Sequence, residues 1–491
     1  MKALTATLGF HRAMRKHRFS EALALHRHHA LFAHAPSYWA QYKLGLYRTV
    51  YQRTQREGVP ERWRARLAAA VCAAALGNLD EARAWLQGLP ADKLRQITTA
   101  LAPHAPELAL QHLREAEASA AAECRDLHVA LLTGLGHLPE AAAVMGGLSS
   151  DEEARWPELA LHRATLLLSG QLPASPTPEA AALAQINRYF AYHQLEALER
   201  RNDTKALNAR NATARVSALP GERPLVSVIM TAFRTAERIG PAIESLLAQS
   251  HRNLEIIVMD DASDDGLGAV VSALRERDPR VLYHRLPRNV GTYVAKNLAL
   301  RHLAHGAFVT CHDSDDWSHP RKIEQQLDWI QRDPARVFSW SYWLRIRDDG
   351  PVVARQCHPL LRANLSSILF RRDAVLNRAG AFDEVRTGAD SEFLARLALV
   401  FGREAGAPLR KPLALGAERP GSLMTDHSTG IQGSGTTPFR LEYWEAWRAW
   451  HCQCLAAGRR PFMPQGPGER PFPISAEQAV PEAHDLAALL T

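Results

Sequence analysis

Long hydrophobic runs and dense cysteine patterns are both missing from this chain of 491 residues. Its longest apolar stretch, Leu67 to Leu76 (LAAAVCAAAL), has about half the length of a membrane-spanning helix and predicts a buried helix instead. The start of the sequence lacks the apolar core and small-residue cleavage site of a secretory signal. Six scattered cysteines, none in a zinc-binding pattern, suit a reducing compartment. We therefore expect a cytoplasmic protein with free thiols.

A nucleic-acid-binding signature is also missing, although the chain is basic, with a formal net charge of +7. No zinc-finger or RNA-binding aromatic motif accompanies this charge, so we expect no nucleic-acid partner. Before Val50 the only acidic residue is Glu21, and such a basic face suits anionic lipid or an acidic partner. A peripheral contact with the inner face of the cell membrane, or with a protein, is one interpretation, and an ordinary solvated helix surface is the other. The basic residues in question are Lys2, Arg12, Arg15, Lys16, Arg18, Arg27, Lys43 and Arg48.

The length predicts two or three domains, and the hydrophobic pattern changes its period near residue 200. Residues 1–200 show helical spacing of apolar residues, and three phrases echo one another: KHRFSEALAL, LGNLDEARAW and LGHLPEAAAV. Their spacing, with weaker breaks between them, gives a period of roughly 30 to 35 residues, which is typical of stacked helical hairpins. This half resembles degenerate tetratricopeptide repeats, and an irregular helical bundle is the alternative. The polar residues 201–224 predict a linker.

Residues 225–440 show short apolar, β-branched runs that alternate with helical segments. This alternation predicts an α/β domain with a mostly parallel, doubly wound sheet, and ligands of such sheets bind beyond the carboxyl ends of the strands. Those ends carry Thr231, the pair Asp260 and Asp261, and a cluster that begins at Asp313. Residues 441–491 predict a C-terminal helix and a proline-rich tail.

The stretch FVTCHDSDDWSHP places three carboxylates, Asp313, Asp315 and Asp316, directly behind an apolar run. Like charges this close raise one another's pKa unless a cation lies between them. An EF-hand-like calcium loop would end at Glu324, but its sixth position is Ser318 rather than glycine. A solvated acidic loop is a second alternative. The favoured interpretation is a D-x-D site for Mn²⁺ or Mg²⁺, because these ions bind one or two carboxylates together with phosphate oxygens.

Four ordered motifs resemble those of inverting family 2 glycosyltransferases, which have the GT-A fold, a Rossmann-like α/β architecture. They are PLVSVIMTAFRTAERIGPAIESLLAQSHRNLEIIVMDDASDDG, NVGTYVAKNLAL, the D-x-D stretch and GADSEFLARL. The resemblance implies transfer of a sugar from a nucleotide sugar, with UDP favoured, to a hydroxyl of a glycan or glycolipid acceptor. It further implies a place in bacterial surface polysaccharide synthesis, such as capsule or lipopolysaccharide. It says nothing about residues 1–200.

The same resemblance implies roles for individual residues of the donor site. Thr231 and Asp261 would hold the nucleotide base. This sequence departs from the family in having TAFR where a tyrosine and an asparagine are usual, so Phe233 can stack on the base but offers no hydroxyl. Lys296 would contact the diphosphate or the base. Asp315 and Asp316 would hold the metal ion, and Asp313 would contact the ribose, the metal ion or a metal-bound water.

The catalytic base implied by the family motif is Asp390, with Glu392 as the second choice. A carboxylate at this position would take the proton of the acceptor hydroxyl. Ala389 stands where many family members carry glutamate, which leaves open an alternative: a non-catalytic helical-repeat scaffold whose α/β domain binds a nucleotide sugar. The role of His427, which precedes a Gly/Ser-rich run, is open between an ordinary loop histidine and an additional metal ligand.

Overall fold

The computed structural model describes residues 2–27, 34–354, 357–421, 431–432, 435–464 and 470–480. Its described residues before Glu199 form helices and turns but no strand, and an α/β arrangement follows, so the predicted fold class is confirmed. None of the helices in these ranges is at once long enough and apolar enough to cross a lipid bilayer.

Short helices fill the first 192 residues, and sequential neighbours pack against one another. The apolar stretch LAAAVCAAAL belongs to a helix whose residues from Leu67 to Ala75 are all buried. The helices are α1 (Lys2–Arg15), α2 (Phe19–Arg27), α3 (His34–Lys43), α4 (Tyr47–Glu57), α5 (Trp63–Ala75), α6 (Leu79–Leu86), α7 (Leu94–Leu101), α8 (Pro106–Arg114), α9 (Ala118–Ala122), α10 (Arg125–Gly134), α11 (Leu138–Gly146), α12 (Ser150–Arg155), α13 (Leu159–Leu168) and α14 (Pro178–Tyr192).

The three echoed phrases form the same turn between two helices. Each contains a residue with a left-handed backbone at the end of a helix: His17 at φ 55°, Gly77 at φ 85° and Gly136 at φ 80°. In each, this residue donates its N–H to the carbonyl three positions back, and the next residue donates to the carbonyl five positions back. This is the Schellman geometry that ends a helix and starts the next one. The echoes thus mark helical hairpins, whereas their assignment to tetratricopeptide repeats stays a prediction.

The second half of the chain contains a ten-stranded sheet and two small two-stranded hairpins. Its strands are β1 (Glu199–Arg200), β2 (Ala212–Thr213), β3 (Val226–Ala232), β4 (Leu254–Asp260), β5 (Val281–Arg285), β6 (Phe308–Asp313), β7 (Trp317–Ser318), β8 (Phe338–Arg347), β9 (Val352–Val353), β10 (Arg362–Ala363), β11 (Leu369–Arg371), β12 (Gly406–Glu418), β13 (Ile431–Gln432) and β14 (Gly435–Thr436). Its helices are α15 (Ala236–Leu247), α16 (Leu267–Arg277), α17 (Thr292–Leu298), α18 (Lys322–Gln331), α19 (Arg372–Arg378), α20 (Ala389–Phe401) and α21 (Pro438–Ala456).

The large sheet has the order β5-β4-β3-β6-β11-β8-β12-β7 and is covered by helices on both faces. Strands β5, β4, β3 and β6 are parallel, and the pairs that follow are mixed, with β11 antiparallel to both β6 and β8. Because side chains alternate along a strand, Val228 and Met230 pack toward α15, α16 and α18, whereas Ile229 packs toward α17, α20 and α21. The parallel part is therefore doubly wound, as the alternating pattern predicts.

The two halves share a hydrophobic core, which we call the junction core. It joins Leu161 of α13 and Phe190 of α14 to Trp317, Leu344 and Leu415 of the sheet. The segment 201–224, predicted as a linker, takes part in it: Leu207, Ala209, Ala212 and Ala214 are buried there, and no residue of 215–224 is buried. The exact boundaries of the two domains stay predictions.

Helix α21 connects the helical half to the α/β half. Its Glu445 accepts the backbone N–H of Arg48 at 2.6 Å and the hydroxyl of Thr49 at 3.3 Å. These residues lie in the first turn of α4, where backbone N–H groups have no partner within the helix, so Glu445 caps α4 from a distant part of the chain. On its other side α21 packs against α20.

The residues after α21 form a strap across the α/β half, described at 459–464 and 470–480. The N–H of Met463 donates to the carbonyl of Ala379 at 3.0 Å, and Arg470 forms a bidentate ion pair with Asp383. The C-terminal strap thus fastens the segment that leads into α20.

Candidate active site

The carboxyl ends of β3, β4 and β6 lie side by side at one edge of the sheet. The strand register pairs Thr231 with Asp313 and Ala232 with Asp260. Each of these ends follows its own buried apolar run, so the polar residues that come next emerge at a common edge. The structure therefore brings together the strand-end residues that the sequence singled out.

The three clustered aspartates have different environments. Asp313 is the most open, with a side chain that is 37% exposed and a carboxylate oxygen 3.9 Å from the Lys296 ammonium. Asp315 forms an ion pair of 2.7 Å with Arg419. Asp316 is buried and accepts the N–H of Ala417 at 3.0 Å. Burial, followed by the charges of Asp315 and Asp313, raises the pKa of Asp316 well above its usual value.

A buried lysine lies behind the cluster on α18. Lys322 is almost inaccessible to solvent, and burial lowers the pKa of its ammonium to about 8, while Asp316 and Asp313 oppose that shift. With Lys296 and Arg419 it partly balances the carboxylates. Burial is the main reason why the pKa of Asp316 stays raised beside these cations.

Three carboxylates held this close together suit a divalent cation. Among the residues described, no three His, Cys, Asp or Glu side chains converge closely enough to hold a metal ion by themselves. A complete protein cage is not required, because Mg²⁺ and Mn²⁺ bind one or two carboxylates and take their other ligands from phosphate and water. Asp315 and Asp316 offer such carboxylates next to the more open Asp313. The donor set thus fits the predicted ion.

The end of β3 carries a hydroxyl and an exposed aromatic ring. The hydroxyls of Thr231 and Thr292 are 2.7 Å apart. Phe233 is 41% exposed, and the guanidinium of Arg234 lies 5.0 Å from its ring centre. Because Arg234 also forms a bidentate pair with Asp264 at 2.8 Å, its charge is already balanced. Phe233 is thus the group at this strand end that is open to a stacking partner.

Asp261 holds the turn that precedes α17. Its two carboxylate oxygens accept the N–H groups of Val290 at 2.7 Å and Gly291 at 2.9 Å. Burial raises the pKa of Asp261, the two N–H groups oppose this, and neighbouring Asp260 adds to it. A carboxylate has about four lone-pair sites, so two acceptor positions are left after these bonds. The sequence did not reveal this backbone role, because it joins residues almost thirty positions apart.

Lys296 lies between two acidic groups of the edge. It is 3% exposed, and its ammonium is 5.2 Å from the ring centre of Tyr293. Burial alone would lower the pKa of Lys296, but the Cys311 thiol, Asp313 and Asp390 together raise it. A cation is therefore held beneath the site, where it balances Asp313 on one side and Asp390 on the other.

Asp390 and Glu392 both belong to the first turn of α20, but only Asp390 is accessible. The N–H of Asp390 lies 3.5 Å from the hydroxyl of Tyr293, and its carboxylate is partly exposed. Glu392 is fully buried, bidentate to Arg396 at 2.8 Å and bonded to His451 at 3.0 Å. Although burial alone would raise the pKa of Glu392, Arg396 and His451 lower it to about 2. This burial argues against Glu392, and Asp390 stays the predicted base.

Sequence reasoning missed a buried arginine near the site. Burial lowers the pKa of Arg440, in the first turn of α21, while Tyr293 and Asp390 raise it, so the three groups are neighbours. Three cationic residues reach the site from other parts of the chain, and no local sequence motif predicts their positions. They are Arg419, Lys322 and Arg440. His427 lies outside the described residues.

The comparisons with known proteins agree with this geometry. Residues 227–383 match the family described as glycosyl transferase family 2. Together with the doubly wound sheet and its acidic edge, this match identifies the α/β half as a family 2 glycosyltransferase domain with the GT-A fold. The helical half lies outside the matched residues.

Curated relatives align with about a quarter of the chain. TuaG of Bacillus subtilis (strain 168), a glycosyltransferase assigned provisionally to teichuronic acid biosynthesis, is 34% identical over 130 residues, which are 26% of this chain and 51% of TuaG. WfaP of Escherichia coli, a UDP-Glc:alpha-D-GlcNAc-diphosphoundecaprenol beta-1,3-glucosyltransferase, is 31% identical over 25% of this chain and 48% of WfaP. The chain thus spans about half the length of these relatives.

Two solved structures are similar to part of this chain. TarS residues 1–349 of S. aureus, in complex with UDP-GlcNAc, is 19% identical, with a TM-score of 0.35 over 48% of this chain and 65% of TarS. The mannosyltransferase PcManGT of Pyrobaculum calidifontis, in complex with GDP-Man and Mn²⁺, is 18% identical, with a TM-score of 0.33 over 54% of this chain and 70% of PcManGT.

Proposed function

We propose that this chain is an inverting glycosyltransferase that transfers a sugar from a UDP-sugar to a hydroxyl acceptor. The observation that carries the proposal is the arrangement around Lys296. This buried cation lies between the acidic cluster at the end of β6 and the carboxylate of Asp390 at the start of α20. The proposed diphosphate site and the proposed proton acceptor thus both lie near Lys296.

The nucleotide binds at the ends of β3 and β4. Phe233 stacks on the base, since its ring is exposed there. Thr231 and the two remaining acceptor positions of Asp261 meet the polar edge of the base, and an acceptor carboxylate suits uracil because uracil presents an imide N–H. Asp313 contacts the ribose, and Lys296 balances the adjacent phosphate charge.

Asp315 and Asp316, with Asp313, would hold a divalent cation, Mn²⁺ or Mg²⁺. When bound, the ion neutralises the charge that develops on the leaving diphosphate. The protein's own contribution is to keep three carboxylates close together, which it does through Arg419, the N–H of Ala417 and the buried Lys322.

Asp390 acts as the general base. Its carboxylate takes the proton of the acceptor hydroxyl while the oxygen forms a bond to the anomeric carbon. The bond from that carbon to the diphosphate oxygen breaks on the opposite face, so nucleoside diphosphate leaves and the configuration inverts. General base catalysis of this kind contributes about 10²- to 10⁴-fold in rate.

The acceptor is a glycan or glycolipid of a bacterial surface polysaccharide, and the enzyme works in the cytoplasm. Support for this comes from the names of two relatives, which refer to teichuronic acid synthesis and to a diphosphoundecaprenol-linked sugar. The carboxylates, the lysine and the open Asp390 favour an enzyme over a scaffold, since a scaffold needs no exposed base.

The direct test is a panel of UDP-sugars and GDP-sugars incubated with the full chain and Mn²⁺. We expect one UDP-sugar to release UDP fastest, with water as the acceptor, and to bind with the highest affinity in calorimetry. Preference for a GDP-sugar would contradict the assignment of the base site. Binding of a nucleotide sugar without any turnover, with or without added acceptors, would favour the scaffold.

A further inference from the structure

A second functional surface lies at the far end of α20 from Asp390, where three parts of the chain meet. The turn between α1 and α2, the end of α20 and the first residues of the C-terminal strap contribute exposed cations here. We call this the basic surface, and its members are Arg12, Arg15, Lys16, Arg378, Arg403, Arg459 and Arg460.

Direct contacts hold the helical half and α20 together at this surface. The guanidinium of Arg403, just after α20, donates to the carbonyls of Lys16 at 3.4 Å and His17 at 2.6 Å. Arg12 and Arg15 lie three residues apart on α1 and therefore share one helix face, and Lys16 follows directly after the helix. Cations that are far apart in sequence are thus fixed side by side.

The strap joins the same surface from the other direction. Arg378 lies with its guanidinium 4.5 Å from the ring centre of Phe401, the last residue of α20. The next residue, Ala379, accepts the N–H of Met463 at 3.0 Å. The three steps from Arg460 to Met463 span at most about 11 Å, so Arg460 lies within that distance of the residue bonded to Ala379.

An aromatic side chain protrudes from this surface. Phe462 is 43% exposed, although its neighbours Pro461 and Met463 are both buried. Because the buried neighbours anchor the backbone, Phe462 is held outward beside Arg459 and Arg460. Among the described residues of these segments, Glu404 is exposed, Glu21 is paired with Arg18, and Asp373 is paired with Arg372. Cations therefore dominate the charge.

We propose that the basic surface docks on an anionic lipid bilayer, with Phe462 inserted among the headgroups. Each lysine or arginine near an anionic membrane adds to the attraction, and an aromatic ring within the interface adds apolar burial. This combination favours lipid over an acidic protein, whose surface offers no apolar layer behind its charges. The proposal is independent of catalysis, since docking requires no turnover.

The position of α20 sets the distance between this surface and the site. Eleven residues separate Phe401 from Asp390, which corresponds to about 17 Å along the helix axis. Asp390 therefore lies one helix length away from the end of α20 that belongs to the basic surface.

The test is cosedimentation of the full chain with vesicles of phosphatidylglycerol and phosphatidylcholine, compared with phosphatidylcholine alone. We expect binding to the anionic vesicles, weaker binding at higher salt and none to the neutral ones. The double variant Arg459→Gln/Arg460→Gln should bind about thirtyfold more weakly, at about fivefold for each charge removed. Phe462→Ala should lower binding about tenfold and leave its salt dependence unchanged.

Matched controls come from exposed residues elsewhere. Arg275→Gln/Arg277→Gln at the end of α16 removes two exposed charges, and Tyr192→Ala removes an aromatic ring that is 63% exposed. Both should bind like the parental chain. Equal loss in controls and test variants would show a general charge effect and overturn the proposal. The proposal would also be overturned if the parental chain bound an acidic protein but no anionic vesicles. That result would assign the surface to a protein partner.

Discussion

Removing the charge of either carboxylate in the first turn of α20 should affect a different property of the protein. Asp390→Asn and Glu392→Gln are equivalent changes in chemistry, each replacing a carboxylate oxygen by an amide group. One carboxylate is partly exposed beside Tyr293, and the other is fully buried against Arg396. The first change should therefore affect turnover, and the second should affect stability.

The magnitudes follow from the two environments. Asp390→Asn removes the proposed proton acceptor and should slow UDP release from the preferred donor by about 10²-fold or more. Its donor affinity should stay nearly unchanged, because Asp390 lies on the acceptor side. Glu392→Gln leaves the guanidinium of Arg396, which is 0% exposed, without its counter-charge. Loss of one partner of a buried pair costs about 3 to 5 kcal/mol in the free energy of unfolding.

Three measurements separate these effects. Initial rates of UDP release report turnover, calorimetry with the donor reports binding, and urea unfolding followed by tryptophan fluorescence reports stability. Asp390→Asn should unfold at the parental urea concentration and Glu392→Gln at a lower one. If Asp390→Asn released UDP at the parental rate, Asp390 would not be the base. If Glu392→Gln were inactive yet as stable as the parent, the roles of the two residues would have to be exchanged.

Three other predictions follow from the site and the junction core. Excess EDTA should abolish UDP release, and Asp315→Asn should weaken donor binding without lowering the unfolding midpoint; full activity in EDTA would contradict a metal site. Trp317→Ala, in the junction core, should lower the free energy of unfolding by about 3 to 5 kcal/mol, and a loss below about 1 kcal/mol would show that the core tolerates a cavity there. Burial lowers the pKa of His319 to about 4, so its contribution to stability is complete above about pH 6.5 and is lost as the pH falls toward 4. The urea midpoint should therefore drop between pH 7 and pH 5, and His319→Gln should reduce that drop; an equal drop in this variant would place the sensitivity elsewhere.

The sequence predicts the edge of the sheet well because each of its residues follows its own strand. Thr231, Asp261 and Asp313 come directly after apolar runs, and parallel strands bring their carboxyl ends together. The echoed phrases of the helical half are equally local, since the turn at Gly77 or Gly136 depends on only six consecutive residues. Patterns of this kind need no knowledge of the tertiary structure.

The groups that surround the edge could not be predicted in this way. Arg419 reaches Asp315 from 104 residues away, and His451 reaches Glu392 from 59 residues away. Periodicity carries no information on such pairs. The polar composition of 201–224 likewise hides the burial of Asn211, whose amide donates to three backbone carbonyls of its own loop. A polar residue can stabilise a buried loop or belong to an exposed linker. Only the folded structure distinguishes these two roles.

The cap that Glu445 places on α4 limits which parts of the chain can be exchanged in a chimera. A chimera that exchanges only the residues before 214 would keep α21 and remove the partner of its Glu445. Conversely, a new final helix would leave the first turn of α4 without its acceptor. The two ends of the chain therefore form one exchangeable unit around the glycosyltransferase domain, and a successful graft must carry both.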